Sequence, residues 1–144
     1  PYKQQIIPYL DSLSREAQDI GAGNCVKISQ DGRTMGYNTD IDGIRFSLDK
    51  LLQGQSADAA LLLGTGGASQ AVQYVLAERN IRCSVVSREK TKGDFTYEEL
   101  SQDVIASHSL IINSSPVGMY PNVDAAPALP YEYLTPQHYL FDLV

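Results

Sequence analysis

The sequence predicts an α/β fold with a parallel sheet, on the basis of three observations. From residue 59 onward, short apolar runs alternate with segments of helical periodicity, as they do in βαβ units. The runs are continuous in apolar residues, which is typical of parallel strands covered on both faces. A glycine-rich turn joins the first run to the helical segment that follows it. With 144 residues, 43% of them hydrophobic, the chain is long enough to fold around a core.

The first part of the chain predicts a smaller unit of helices and a hairpin. Residues 3–20 contain two short helical patterns, and the second has Ser14 as its N-cap and Gly21 as its stop. An Asp-Gly pair at residues 31–32 interrupts the alternating pattern of residues 25–37. Such a pair between two alternating runs predicts a β-hairpin.

A longer helix is predicted for residues 41–52, because their apolar side chains fall on one stripe. Asp40 precedes the stripe at a capping position, and the polar segment 54–56 ends it. We therefore place a linker there and divide the chain into residues 1–54, which include this connecting helix, and residues 55–144, which contain the parallel sheet.

The second part of the chain continues in the order expected for an open parallel sheet. Each apolar run is followed by a helical or polar segment. Strands are predicted at residues 60–63, 81–86 and 109–113 and from Tyr139, and helices at residues 68–79 and, with a weaker pattern, 97–103.

Composition narrows the function classes. With a formal net charge of −6, a general affinity for nucleic acid or for an anionic membrane is disfavoured. No apolar run is long enough to span a bilayer. Cys25 and Cys83 lie in strand-like runs, and we expect buried, reduced thiols of a cytosolic protein rather than a disulfide or a metal pair.

The glycine turn is a candidate phosphate site. A strand, a tight turn and a helix in this order bring free backbone N–H groups and the positive end of a helix dipole to one point. The spacing departs from G-x-G-x-x-G, because Ser69 stands where the last glycine would be. A tight turn without a ligand is the alternative interpretation. The candidate cofactor-binding residues are Gly64, Thr65, Gly66, Gly67 and Ala68.

The end of the next predicted strand carries a second group of candidates. In dinucleotide-binding folds this strand end faces the adenosine ribose, where an acidic residue favours NAD and an arginine favours the 2′-phosphate of NADP. Arg88 directly follows the strand, and a guanidinium can bind a phosphate through two hydrogen bonds. The alternative is a solvated surface loop. The candidate residues are Ser87, Arg88, Glu89, Lys90 and Lys92.

Other polar residues carry weaker signals. Residues 113–119 follow the third strand of the unit and are expected to form a wall at the nicotinamide end. Lys3 and Asp40, taken by spacing alone, are an exposed lysine and a helix cap. We assign no role to His108 and His138.

Six short motifs occur in the order in which they occur in shikimate dehydrogenases, and the chain resembles that family over essentially all of its length. The motifs are Pro1-Tyr2-Lys3, Gly21-Ala22-Gly23-Asn24, Tyr37-Asn38-Thr39-Asp40, Gly64-Thr65-Gly66-Gly67-Ala68-Ser69, Ser87-Arg88 and Asn113-Ser114-Ser115-Pro116-Val117-Gly118-Met119.

The resemblance implies an NADPH-dependent reduction of 3-dehydroshikimate to shikimate, in the biosynthesis of chorismate and the aromatic amino acids. It implies a Rossmann-like NADP-binding domain at residues 55–144 and a remnant of an α/β substrate-binding domain at residues 1–54. We accordingly expect a cytoplasmic protein that is a monomer or a homodimer. We expect it to act on a small-molecule substrate and to have no nucleic-acid or membrane partner.

The resemblance also implies roles for individual residues. Lys3 corresponds to the catalytic lysine and Asp40 to its aspartate partner, both at the substrate, and Asn24 corresponds to an asparagine that binds substrate hydroxyls. An ammonium at Lys3 can stabilise the substrate oxygen and donate or relay a proton. Which member of the pair carries the proton stays open, because the two groups titrate together. Ser115 and Leu143 are expected near the cofactor.

The sequence departs from the family pattern at several positions. Gly23 and Cys25 stand where valine and threonine are usual, and Ser87 and Glu89 stand where asparagine and threonine are frequent. Glu89 adds a negative charge near the expected 2′-phosphate, so we expect a modest preference for NADP. Parts of the family's substrate site lie outside this sequence, and we expect this fragment alone to be inactive. The alternatives are a quinate/shikimate dehydrogenase with relaxed use of NAD and NADP, or a non-catalytic nucleotide-binding relative.

Overall fold

The computed structural model describes residues 2–144, which form two sheets. The strands are β1 (Ser12–Leu13), β2 (Cys25–Ile28), β3 (Thr34–Tyr37), β4 (Ala59–Leu63), β5 (Arg82–Val86), β6 (Leu110–Asn113) and β7 (Tyr139–Asp142). The helices are α1 (Arg15–Ile20), α2 (Asp40–Leu52), α3 (Gly67–Glu78) and α4 (Gln102–Ala106), and 3-10 turns lie at Ile7–Tyr9, Lys90–Lys92, Tyr97–Glu99 and Tyr131–Tyr133. The strand orders are β1-β3-β2 and β5-β4-β6-β7.

The four-stranded sheet is parallel throughout, which confirms the predicted fold class. β4 lies between β5 and β6, and β7 extends the sheet beyond β6. Every residue of β4 and β6 is buried, and this explains why their sequences are continuously apolar. The carboxyl ends of the strands lie side by side at one edge, which is where open α/β sheets bind ligands.

Helices and turns cover both faces of this sheet. Ala60 and Leu62 of β4 belong to the core formed with α2 and α3. Leu61 and Leu63, which alternate with them along the strand, belong to a second core on the opposite face, formed with α4 and the segment 129–134. The sheet is therefore the middle layer of three.

The helix α2 is fixed against α3 by apolar and ionic contacts. Its buried residues Ile41, Ile44, Leu48 and Leu52 join the core of the parallel sheet. Arg45 donates two hydrogen bonds to the Glu78 carboxylate of α3, with N–O distances of 2.9 and 2.7 Å. This hydrogen-bonded pair raises the pKa of Arg45 and lowers the pKa of Glu78. The start of α2 consequently has a defined position relative to the parallel sheet.

The three-stranded sheet contains the predicted hairpin and one strand that was not predicted. β2 and β3 pair antiparallel, and β1 pairs with β3 in parallel. A strand of two residues has too little sequence for a period to be recognised. Asp11 holds it in place, since its Oδ2 accepts hydrogen bonds from the Thr34 backbone N–H at 2.7 Å and from Thr34 Oγ1 at 2.9 Å. A Cβ at Gly36 would lie 2.6 Å from Leu10 Cδ1, so glycine permits this close packing.

Two predicted helices are shorter than expected. The first helical pattern in residues 3–20 forms only the 3-10 turn Ile7–Tyr9, in which Pro8 supplies no backbone N–H. The predicted helix at residues 97–103 is interrupted, because Ser101 has an extended backbone and caps α4 with its side chain.

The prediction of buried thiols is wrong for Cys25. Cys25 is exposed, because β2 is an edge strand and all four of its residues are exposed. Cys83 is partly buried in β5, and burial raises the pKa of its thiol to about 11. A thiol with such a pKa is a weak nucleophile near neutral pH.

The described helices are short. The longest, α2, has 13 residues, whereas a membrane-spanning helix needs about 20. Among residues 2–144 no helix combines the length and the apolar character needed to cross a bilayer.

Candidate active site

An ion pair joins two residues that are 37 positions apart in the sequence. The Lys3 ammonium contacts Asp40 Oδ2, and each side chain is about one-third exposed, at 35% and 32%. Asp40 is the first residue of α2 rather than its cap, since Thr39 occupies the N-cap position. A carboxylate in the first turn of a helix is stabilised by the helix dipole. The fold thus brings together the two residues that spacing alone could not connect.

Asn24 completes the contacts of the Asp40 carboxylate. Its Nδ2 donates to Asp40 Oδ1 at 2.7 Å, so that each carboxylate oxygen accepts a hydrogen bond from a different side chain. The Asn24 Oδ1 accepts from the Thr39 backbone N–H at 2.9 Å and from Thr39 Oγ1 at 3.1 Å. Asn24 is therefore fixed at both ends of its amide, and it is held beside the lysine–aspartate pair.

Asn38 is a positioning residue, which the sequence analysis included in a motif without giving it a role. It is buried, donates from Nδ2 to the Ala22 carbonyl at 3.1 Å, and accepts at Oδ1 from the Asp40 backbone N–H at 3.2 Å. The Gly23 N–H donates to the Lys3 carbonyl at 2.8 Å. These bonds join the lysine segment, the start of the hairpin and the start of α2. A polar residue two positions before the predicted cap was the available signal, but the burial of its side chain is not visible in the sequence.

The glycine turn has the backbone that a ligand cradle requires. Gly64 has φ +105°, and a Cβ there would lie 3.1 Å from the Ser115 backbone nitrogen, so a larger residue is disfavoured on two counts. Gly66 is the N-cap of α3 and no side chain among residues 2–144 caps this helix. The N-terminal N–H groups of α3 are therefore offered to an anion at the end of β4.

The loop after β5 presents its cations in different ways. Lys90 Nζ lies 2.6 Å from both carboxylate oxygens of Glu99, and Lys92 Nζ lies 2.8 Å from Glu89 Oε1. Arg88 is exposed and makes no ion pair within residues 2–144. Of the three cations in this loop, only the Arg88 guanidinium is therefore available to a ligand. Lys90 and Lys92 are already paired with carboxylates.

The ends of β6 and β7 are joined by a network around Asn113. Asn113 Nδ2 donates to Asp142 Oδ1 at 3.0 Å, and Asn113 Oδ1 accepts from Ser115 Oγ at 2.6 Å. Asp142 Oδ1 also accepts from the Val144 N–H at 3.0 Å. The sequence reasoning missed Asp142, although an acidic residue at the end of an apolar strand in a parallel sheet is a recognisable signal.

The lysine–aspartate pair and the first turn of α3, which follows the glycine turn, open into the same space. A cleft of about 570 Å³ is lined by Lys3, Asp40, Ala68, Asp142 and Leu143, together with neighbouring residues. A second cleft of about 380 Å³ is also lined by Lys3, together with Gly67 and Ala68. Of the predicted cofactor residues, Leu143 lines the larger cleft, and Ser115 lies against Gly64 at the turn.

The chain is similar along its whole length to known enzymes. No protein-family model matches it. It is 35% identical to the shikimate dehydrogenase (NADP(+)) of Methanococcus maripaludis. Its fold is similar to quinate dehydrogenase from Corynebacterium glutamicum in complex with NAD, with a TM-score of 0.88 and 28% identity, and to shikimate 5-dehydrogenase from Thermus thermophilus in complex with NADP(H) and shikimate, with a TM-score of 0.78 and 31% identity. In each case the whole chain is covered, but it spans only 56% of the other protein.

Proposed function

We propose that this chain, which belongs to the shikimate dehydrogenase family, carries the NADP site and the lysine–aspartate pair of an enzyme that reduces 3-dehydroshikimate to shikimate in the shikimate pathway. The observation that supports this most directly is the cleft that Lys3 and Asp40 share with Ala68 of the glycine turn. A dehydrogenase needs its proton donor and its nicotinamide at the same carbonyl group, and one shared cleft meets that need.

The residues at the carboxyl edge of the parallel sheet fit a dinucleotide. The turn at Gly64 leaves no room for a Cβ, and the uncapped start of α3 suits a pyrophosphate. Arg88 at the end of β5 is available for a 2′-phosphate, and Leu143 and Ser115 lie where the nicotinamide end is expected. When bound, the reduced cofactor supplies the hydride.

The side chains of the small unit supply the acid–base chemistry. Reduction of a ketone leaves an oxygen that must gain a proton, and the Lys3 ammonium can stabilise that oxygen and donate the proton. Asp40 orients Lys3 through Oδ2, and Asn24 orients Asp40 through Oδ1. The Asn24 amide is the group that we assign to substrate hydroxyls. Because Lys3 and Asp40 are in direct contact, their titration belongs to the pair.

A quinate/shikimate dehydrogenase with relaxed cofactor use is the second candidate. The carboxylate of Glu89, directly after Arg88, favours it, since an acidic residue at this strand end suits the ribose hydroxyls of NAD. The similarity to a quinate dehydrogenase in complex with NAD is in keeping with this alternative. A non-catalytic relative is disfavoured, because it would have no need of the assembled Lys3–Asp40 pair.

We also propose the division of the chain into residues 1–54, from the substrate-binding domain, and residues 55–144, the NADP-binding domain. The three-stranded sheet and the parallel sheet support it, while α2 packs over the second part although it belongs to the first. The oligomeric state, a monomer or a homodimer, and the cytoplasmic location are likewise proposed.

The test is an assay of the protein at its full encoded length. Shikimate and quinate are each mixed with NADP or NAD, and the formation of reduced nicotinamide is followed. Reduction confined to shikimate with NADP supports the proposal, and comparable rates with quinate or NAD favour the second candidate.

Lys3→Ala is expected to lower kcat by about 100-fold or more while the Kd for NADP stays unchanged. Lys27→Ala, an exposed lysine on β2, is the matched control. If none of the mixtures reacts although a cofactor binds, the non-catalytic relative is the better description.

A further inference from the structure

We propose that the carboxylate of Asp142 stabilises the positive charge of an oxidised nicotinamide ring in the larger cleft, and so favours the oxidised over the reduced cofactor. This inference rests on the proposed function and gives a role to a residue that has none in it.

Asp142 lies at the edge of the parallel sheet that carries the candidate site. It is the last residue of β7 and lies opposite Asn113, the last residue of β6. It lines the larger cleft together with Leu143, and Lys3 and Asp40 line the same cleft. Because the carboxyl ends of parallel strands form the ligand-binding edge of such sheets, we expect the nicotinamide end of the cofactor beside Asp142.

The Asp142 carboxylate has a fixed orientation. Asn113 is buried, and its Oδ1 accepts from the Ser115 N–H at 3.0 Å and from Ser115 Oγ at 2.6 Å. Its Nδ2 is thereby turned toward Asp142 and donates to Oδ1 at 3.0 Å. The Val144 N–H donates to the same oxygen at 3.0 Å. Oδ1 is therefore held by two donors, whereas Oδ2 accepts no hydrogen bond within residues 2–144.

Charge distinguishes Asp142 from the other ionisable residues of this cleft. Lys3 and Asp40 are the other charged side chains among the lining residues, and they neutralise each other. Asp142 makes no ion pair in the part of the chain that the structure describes. The larger cleft therefore carries one uncompensated negative charge, at the end where the nicotinamide is expected.

An uncompensated carboxylate distinguishes between the two redox states of a nicotinamide. The ring is a cation in the oxidised cofactor and neutral in the reduced one, whereas the rest of the cofactor is the same. A carboxylate beside the ring therefore attracts the oxidised form more strongly. In the proposed reduction a hydride passes from the ring to the carbonyl carbon and the oxygen takes a proton from Lys3, so the ring becomes a cation. Asp142 consequently also favours the direction of ketone reduction.

The inference is tested by measuring the Kd of oxidised NADP and of NADPH for the protein at its full encoded length, without substrate. Asp142→Asn removes the charge but keeps an oxygen that can accept from the Val144 N–H. This variant is expected to weaken the binding of oxidised NADP by about three- to tenfold, as expected for a partly screened charge, and to leave NADPH unchanged or tighter. A probe without the nicotinamide, 2′,5′-ADP, should bind to the variant and to the unaltered protein equally.

Asp58→Asn is the matched control, because Asp58 is an exposed aspartate directly before β4, at the opposite end of the same sheet. A second measurement needs no variant. In the unaltered protein, the affinity for oxidised NADP relative to NADPH should fall as the salt concentration rises, since the phosphates are common to both forms and only the ring charge differs.

Equal changes for the two redox states would assign Asp142 a purely structural role and overturn the inference. An unchanged ratio of the two Kd values in Asp142→Asn, or an equal change of this ratio in Asp58→Asn, would also overturn it while the proposed function stands. If Asp142→Asn does not fold, a ratio that is independent of salt overturns the inference in the unaltered protein. If neither form of the cofactor nor 2′,5′-ADP binds to the unaltered protein, the proposed function fails, and the inference fails with it.

Discussion

In the four-stranded sheet every residue of β4 and β6 is buried, whereas in the three-stranded sheet every residue of β2 is exposed. The first sheet is stabilised by removing apolar surface from water on both faces. The second has few buried side chains and is connected by side-chain hydrogen bonds, such as those of Asp11 and Asn38. The candidate cofactor turn belongs to the first sheet, and the lysine–aspartate pair depends on the second. The two halves of the candidate site are thus stabilised by different interactions.

The largest effect is expected from a truncation in the parallel sheet. Leu62 is fully buried between β5 and β6, and Leu62→Ala is expected to lower the free energy of unfolding by about 2–5 kcal/mol through lost burial and the cavity that remains. Ile28 of β2 is 70% exposed, and Ile28→Ala is expected to change the stability by less than about 0.5 kcal/mol. Urea unfolding followed by circular dichroism measures both values. Similar losses in the two variants would mean that the two sheets do not differ in the way described.

A polar substitution is expected to have an intermediate effect in the small sheet. Asn38→Ala leaves the buried Ala22 carbonyl without its donor and removes the acceptor for the Asp40 N–H. The expected loss of stability is about 1–3 kcal/mol. Asp40 would also lose a positional restraint. Under the proposed function, the rate of the full-length protein in the shikimate assay should therefore fall while its Kd for NADP is retained.

The control for this variant is Asn122→Ala, which changes an exposed asparagine in the loop after β6. Asn38→Asp keeps an acceptor for the Asp40 N–H but places a buried carboxylate oxygen against the Ala22 carbonyl oxygen, and it is expected to be at least as destabilising as the alanine variant. A stability of Asn38→Ala within about 0.5 kcal/mol of the unaltered protein would show that the small sheet does not depend on this bond.

The contrast between the buried parallel sheet and the exposed three-stranded sheet also explains which elements could be predicted from the sequence. Continuous apolar runs predicted β4, β5 and β6 to within a residue or so. For β4 and β6 the reason is burial on both faces, which leaves a direct pattern in the sequence. β1 was missed, since its formation depends on Asp11 meeting Thr34 from a distant part of the chain. His108, to which no role was given, is buried with its ring against Phe95 and its Nε2 3.0 Å from Ser84 Oγ. Contacts of this kind have no local signature.

The candidate site divides in the same way. The glycine turn and Arg88 are local signals, and their strand-end positions followed from the fold class. The approach of Lys3 to Asp40 is a tertiary contact, which the sequence could suggest only through a family resemblance. The pairing of Lys92 with Glu89 was also not predicted, because a charged side chain in a surface loop has several oppositely charged groups within reach.

The smallest effect is expected where α2 joins the parallel sheet, at the ion pair between Arg45 and Glu78. Hydrogen bonding to Arg45 lowers the pKa of Glu78 below its ordinary value of 4.5, so the pair contributes stability above that pH and loses it as the pH falls through the lowered pKa. Arg45 remains protonated throughout, because its pKa is raised. Both side chains are about one-third exposed, so Glu78→Gln is expected to lower the free energy of unfolding by less than about 1 kcal/mol at neutral pH.

The difference in stability between the variant and the unaltered protein should shrink as the pH is lowered below about 4.5, as measured by urea unfolding at a series of pH values. Glu132→Gln, at an exposed carboxylate far along the chain, should show no such convergence. A cost that persists unchanged in acid would instead assign the contribution of Glu78 to packing against α2, and the contact between the two parts of the chain would then resemble the apolar core of the parallel sheet.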